Sequence, residues 1–136
     1  MIGKRARMSP SDEWRGAVKL WRPVGKTELE KIEAAGMKGF PARLPEHPVS
    51  CPVLSFGYAE KIARDWNSTR SDHDHLCFVT VFELDDGFAE SFEANEAGGT
   101  AHRELWIPAT EMEALNNNLL GPIEVVASYR KGERIR

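Results

Sequence analysis

The clearest pattern along the chain lies at 75–84, where Cys77, Val79 and Val81 alternate with Phe78, Thr80 and Phe82. Successive strand residues face opposite sides, so this segment is apolar on both faces and is expected at the centre of a sheet covered from both sides. Phe78, Val79, Val81 and Phe82 are its expected core. A first strand is read at Val18-Lys19-Leu20-Trp21-Arg22, ended by Pro23, and a last one over 123–129, entered through the Gly121-Pro122 turn.

Helical signals fall between these strands. Thr27-Glu28-Leu29-Glu30 fits a capping box, in which the threonine oxygen accepts a first-turn amide and Glu30 reaches back. That helix is expected to run to about residue 35, with Gly36 as the left-handed residue beyond it. Pro41, Pro45, Pro48 and Pro52 make 37–52 an extended loop. Val53-Leu54 then reads as a short strand. Ser55 caps a second helix, whose Tyr58, Ile62 and Trp66 share a face with Ala59 and Ala63. Asp85-Asp86 opens a short helical segment, 92–94 reads as a strand, and 110–116 as a short helix. The pattern predicts a single α+β domain over 17–130, with a mobile basic lead-in at 1–16 and a basic tail at 131–136.

Composition narrows the class. A chain of 136 residues is large enough to bury a core as one domain. No apolar run reaches the roughly 18 residues of a membrane span, and the basic N-terminal stretch lacks the apolar run of a signal peptide. A soluble, cytoplasmic protein without membrane contact is expected. Cys51 and Cys77 stand in apolar settings without C-x-x-C spacing, which points to reduced core thiols. Residues 1–16 carry four bases against two acids and residues 130–136 four against one, so both ends are basic around an acidic body. An acidic body argues against a dedicated nucleic-acid groove. Asp72-His73-Asp74-His75 has the composition of a divalent-metal site, but it follows Ser68, Thr69, Arg70 and Ser71 and reads as a polar loop. No metal is expected.

The candidate working acid is Glu104, in His102-Arg103-Glu104-Leu105-Trp106-Ile107-Pro108. It stands at the mouth of a short apolar strand that Pro108 stops, behind the flexible Ala97-Gly98-Gly99-Thr100 segment. Element ends of this kind present side chains to clefts. His102, two residues earlier, is a candidate proton carrier at neutral pH.

The succession Leu20-Trp21-Arg22, a helix ending at Gly36, Pro52-Val53-Leu54-Ser55 before the Tyr58–Trp66 helix, and Glu104-Leu105-Trp106-Ile107-Pro108 resembles the three signature strands of the ADP-ribosyltransferase superfamily. It is similar in particular to small bacterial proteins carrying the label "ADP-ribosylation/crystallin J1". The resemblance spans residues 18–129. It implies a pair of packed, mainly antiparallel sheets with short peripheral helices, enclosing a cleft for NAD. It further implies that Arg22 contacts NAD near the nicotinamide ribose or phosphates, that Ser55 supports the site, that Tyr58 or Phe56 stacks on nicotinamide, and that Glu104 is catalytic. Arg22, Ser55 and Glu104 are then expected to converge on one cleft.

The implied activity is transfer of ADP-ribose from NAD, as substrate, to an acceptor, or hydrolysis of NAD without one. Arginine-specific relatives carry Glu or Gln where this chain has His102, so the acceptor stays open between protein, nucleic acid and small molecule. The second motif has one Ser rather than a Ser-Thr-Ser set. Two alternatives share the fold: a non-catalytic nucleotide- or protein-binding module, and an RNA-end enzyme of the tRNA 2′-phosphotransferase type, for which the basic ends would grip RNA. Fold by itself does not choose among them.

Overall fold

The computed structural model describes residues 16–42, 49–50, 52–69, 75–92, 94–96 and 103–136, and the side chains of all of these except 49–50 and 94–96. The chain mixes helix and strand around a small, open, antiparallel sheet. Its first strand, β1 (Ala17–Val24), pairs with the long β3 (Leu76–Asp85), which pairs in turn with β7 (Glu124–Arg130), and β7 with the short β8 (Glu133–Arg134). Two shorter pairs accompany it: β2 (Val49–Ser50) with β6 (Ile107–Pro108), and β4 (Ala94–Glu96) with β5 (Arg103–Leu105).

As its two-sided apolar pattern predicts, β3 is flanked by strands on both edges. Val79 and Phe82 are buried, while Phe78 and Val81 are only partly covered. The pairing of β1 with β3 sorts side chains by parity. Leu20, Arg22 and Val24 lie opposite Phe82, Thr80 and Phe78 on one face. Trp21 and Pro23 lie opposite Val81 and Val79 on the other.

Helix α1 (Lys26–Ala34) covers the first face with Leu29 and Ile32, in a core that also takes Phe40, Leu105, Ile107, Met112, Leu115 and Ile123. Helix α2 (Phe56–Lys61) covers the second, where Tyr58, Ala59 and Ala63 pack with Val53, Cys77, Val79, Ala127 and Tyr129. Two short helices, α3 (Asp86–Ala89) and α4 (Met112–Asn117), close the first core.

Several boundaries differ from expectation for identifiable reasons. Strand β1 runs through Pro23 instead of ending before it. The Trp21 amide donates away from β3, to the Val53 carbonyl at 2.9 Å, and period-two alternation aims the Pro23 nitrogen the same way, so the ladder with β3 loses no donor. Helix α1 is capped by Gly25 without a side-chain bond, so the expected Thr27 capping box does not form. Gly36 does end α1, at φ +71: its amide reaches the Glu33 carbonyl and that of Met37 the Ile32 carbonyl, the paired bonds of a Schellman motif.

After α2 the chain widens into a π turn, Ile62–Trp66. Each residue then rotates less about the axis than in an α-helix, and Trp66, expected on the buried face, is 55% exposed. The expected basic tail is instead a hairpin. Lys131 (φ 50) and Gly132 (φ 87) form a two-residue turn of the type that matches strand twist, and Arg130 pairs with Glu133 across it.

The lead-in at 1–15, Cys51 and the acidic-histidine run up to Asp74 lie outside the described residues. Cys77 is a buried free thiol, as expected. Among the described residues no helix is long and apolar enough to cross a membrane, and no cluster of His, Cys, Asp and Glu suited to a metal occurs.

Candidate functional site

Residues 52–54 form the hinge on which the site is built. Val53 exchanges both backbone bonds with Trp21, at 2.8 and 2.9 Å, and lies opposite Glu104 on its other side, with the Leu54 and Leu105 amides donating to the Arg103 and Pro52 carbonyls at 2.9 Å. A row Trp21, Val53, Glu104 therefore runs across three chain segments far apart in sequence. Residues opposite one another in adjacent strands face the same side. Glu104 thus shares the α2 face with Trp21 and Val53.

The same alternation decides where Trp106 points. Leu105 and Ile107 are buried in the first core, so Glu104 and Trp106 both project from the opposite side. There the Trp106 indole N–H donates to Glu104 Oε1 at 2.9 Å, and the Tyr58 hydroxyl donates to Oε2 at 3.3 Å. Tyr58 is buried, which fixes the second donor, whereas Trp106 is half exposed. The carboxylate is oriented by two neutral groups and keeps further lone pairs for a ligand.

Ser55 is the N-cap of α2, its Oγ accepting from the Tyr58 amide at 3.2 Å. It positions the first turn, and with it the tyrosine that holds Glu104. Phe56, in that turn, lies under the Arg134 guanidinium, 5.7 Å from the ring centroid. Arg134 also approaches Glu60 Oε2 at 3.6 Å, and the buried Tyr129 hydroxyl donates to the same oxygen at 2.7 Å. Burial first, and the Glu60 carboxylate second, push the Tyr129 hydroxyl well above its ordinary range. The hairpin of β7 and β8 is thereby anchored to α2.

Arg22 does not join this group. Parity sets it on the α1 face, where Nε and a terminal nitrogen donate to the two Glu28 oxygens at 2.8 and 3.0 Å. Both side chains are largely covered, at 12% and 22% exposed. The expected convergence of Arg22, Ser55 and Glu104 on one cleft is therefore corrected: Ser55, Tyr58 and Glu104 come together, and Arg22 is held behind the sheet. The reason is parity, since Trp21 rather than Arg22 pairs with Val53. His102 lies outside the described residues.

Trp106 escaped the reading of the sequence as a site residue, although its signal was present. Glu104-Leu105-Trp106-Ile107 alternates, and two apolar residues that seek the core commit the acid and the indole to one common face. A depression of about 250 Å³ lies elsewhere, bounded by Lys19, Val81, Glu83, Leu120, Pro122 and Glu124, and contains none of the candidate residues. Comparison with known proteins returns no matching family model, no similar curated protein and no similar solved structure.

Proposed function

We propose that this chain cleaves the bond between nicotinamide and ribose in NAD, with Glu104 as the working carboxylate, and passes ADP-ribose to an acceptor or to water. The observation that carries the reading is the row Trp21, Val53, Glu104, which makes neighbours of the three segments whose succession resembles the ADP-ribosyltransferase motifs, and ends on a carboxylate held by Tyr58 and Trp106.

The reaction calls for such a group. As the bond from C1′ to the nicotinamide nitrogen breaks, its electron pair leaves with the ring, which becomes neutral, and positive charge develops on the ribose. An oriented carboxylate stabilises that charge and accepts a hydrogen bond from a ribose hydroxyl. The nucleophile, an acceptor or water, then bonds to C1′ and gives up its proton. Tyr58 and Trp106 hold the carboxylate in one orientation before substrate arrives, which removes reorganisation from the barrier. In this reading the nicotinamide-ribose end of NAD lies against these residues. Arg22 is paired with Glu28 on the other face, so this reading assigns it no part in holding the pyrophosphate.

That pairing favours the alternative of a non-catalytic binding module, and one experiment separates the two readings. Nicotinamide release is followed with the purified parent and Glu104→Gln, with and without cell lysate as a source of acceptor. The amide keeps the shape and removes the charge, so turnover is expected to fall by about 10²–10³. Equal release by the two proteins removes Glu104 from the chemistry. No release by either leaves the binding module.

A further inference from the structure

The row that ends on Glu104 also continues the other way. Trp21 lies opposite Val81, and Val81 opposite Glu124, so Glu124, Val81, Trp21, Val53 and Glu104 follow one another across the sheet on the α2 face. A second row lies beside it at the far end. There Lys19 is opposite Glu83, and the Leu120 amide donates to the Glu83 carbonyl at 2.9 Å. Leu119 pairs with Leu84, which is buried in the first core, so alternation turns Leu120 to the same face as Glu83. Helix α2 does not cover this corner: along β3 its face is buried at Cys77 and Val79, half-buried at Val81 and open at Glu83. The depression of about 250 Å³ lies here, with Val81 half-buried among the exposed Lys19, Glu83, Leu120, Pro122 and Glu124.

We infer that this corner docks a partner protein by receiving one of its lysine or arginine side chains. Charge decides the sign of the guest. The corner holds two carboxylates against one ammonium, and among the described residues none of the three has an ion-pair partner. Lys19, opposite Glu83, balances one carboxylate at most, which leaves Glu124 for a cation. Apolar surface decides its shape. Val81, Leu120 and Pro122 offer aliphatic contact, and a long basic side chain lays its methylenes on such surface while its head stays with the carboxylates at the rim. The volume is smaller than the roughly 300–1,000 Å³ of pockets that enclose a free small molecule, and the rim is exposed. A free amine would gain little here for the freedom it gives up, whereas a side chain carried by a larger partner is held by contacts around the rim as well. Val125 and Val126, exposed next to Glu124 on β7, supply such contacts. Four strand spacings, about 19 Å, separate Glu124 from Glu104, so the docked side chain leaves the candidate acid free.

The isotope-labelled full chain is titrated at low salt, by NMR, with a terminally blocked peptide carrying one lysine between valines, and with the same peptide carrying norleucine in its place. Amide shifts are expected at Lys19, Val81, Glu83, Leu120 and Glu124. The lysine peptide should bind about fivefold more tightly than the norleucine peptide, the scale of one ion pair at a surface, and added salt should erase the difference. Glu83→Gln and Glu124→Gln should each lower that preference about threefold, while Lys19→Met should raise it by a similar factor, because a like charge is removed. All three positions are exposed, so the variants should melt with the parent, and the opposite signs set a charge effect apart from a loss of structure. Glu104→Gln should leave the preference unchanged. Absence of shifts at the corner, equal binding of the two peptides, or a lower preference in Lys19→Met overturns the inference. So does free lysine amide binding as tightly as the lysine peptide, which would make this a small-amine site. Shifts of the same residues on diluting the parent alone would give the corner to a second copy of the chain, and overturn it too.

Discussion

Arg22 and Glu104 stand close together in one backbone ladder, yet the two faces of the sheet treat their charges differently. On the α1 face Arg22 meets a carboxylate in bidentate geometry, both partners mostly covered, and its charge is balanced where it stands. On the α2 face Glu104 is gripped by neutral donors, and its charge stays uncompensated by them. A charge neutralised in place holds a structure together. A charge oriented but left unneutralised retains its field for a ligand, and supplying that orientation in advance is how protein dipoles aid a reaction. The α1 face should therefore respond to mutation in stability, and the α2 face in chemistry.

The largest effect should come from the interior of the α1 face. Phe82 is buried and meets Phe40 edge to face, with centroids 4.9 Å apart. Phe82→Ala should cost about 3–5 kcal/mol in denaturant unfolding, through the cavity and the lost aromatic contact. A variant as stable as the parent would show that this face is not the principal core. The counterpart on the α2 face is Glu104→Gln, whose effect on turnover should come with little change in melting temperature, since the Trp106 indole can still donate to the amide oxygen and the Tyr58 hydroxyl can turn to accept from the amide nitrogen. Marked destabilisation by that substitution would break the contrast between the faces.

The pair on the α1 face comes next. Arg22→Ala leaves Glu28 partly buried without its guanidinium, and should cost about 2 kcal/mol, between the values of exposed and buried pairs. Replacing both residues by leucine should recover much of that loss, because no carboxylate is then stranded. NAD affinity, if Arg22 is structural, should be the same for the parent and Arg22→Ala. A large loss of affinity in a stable Arg22→Ala protein would mean that the arginine leaves Glu28 for the ligand.

How far these roles could be read from the residues follows from the range over which each signal acts. The centre of the sheet was legible because alternation over 75–84 is a local property of one strand. Ser55 and Gly36 were legible for the same reason, one as a side-chain acceptor and the other as a left-handed stop. Thr27 misled because α1 begins directly from β1, and Glu28, which stands at the third position of the helix, is drawn to Arg22. Which of Trp21 and Arg22 shares a face with Glu104 depends on pairing through Val53, and a slip of one residue would exchange them. Register between distant segments leaves no local trace. The π turn that exposes Trp66 and the Lys131-Gly132 hairpin show the two sides of this limit: helical spacing alone does not reveal an inserted turn, whereas a glycine in a two-residue link between paired strands is a signal that composition as a charged tail obscured.

The smallest expected effect concerns pH and sharpens the comparison inside the α2 face itself. Burial pushes the Cys77 thiol from about 9 up to about 11, and the Tyr129 hydroxyl is raised as well, by burial and by Glu60. For a group whose folded value is raised, the folded state binds its proton more tightly than the unfolded state, so stability is fully present below the unfolded value and falls as pH rises toward the folded one. The parent should lose stability from about pH 9 to 11 through Cys77, with Tyr129 adding to the loss above about pH 10. Cys77→Ala should flatten the first part of this slope and Tyr129→Phe the second, each read as a change of slope rather than of absolute stability, because both variants also alter packing. Unfolding by denaturant at a series of pH values measures it. A Cys77→Ala slope identical to that of the parent would show that the thiol is reached by water, and that α2 and the hairpin anchored to it by Glu60 and Arg134 open more readily than their packing implies.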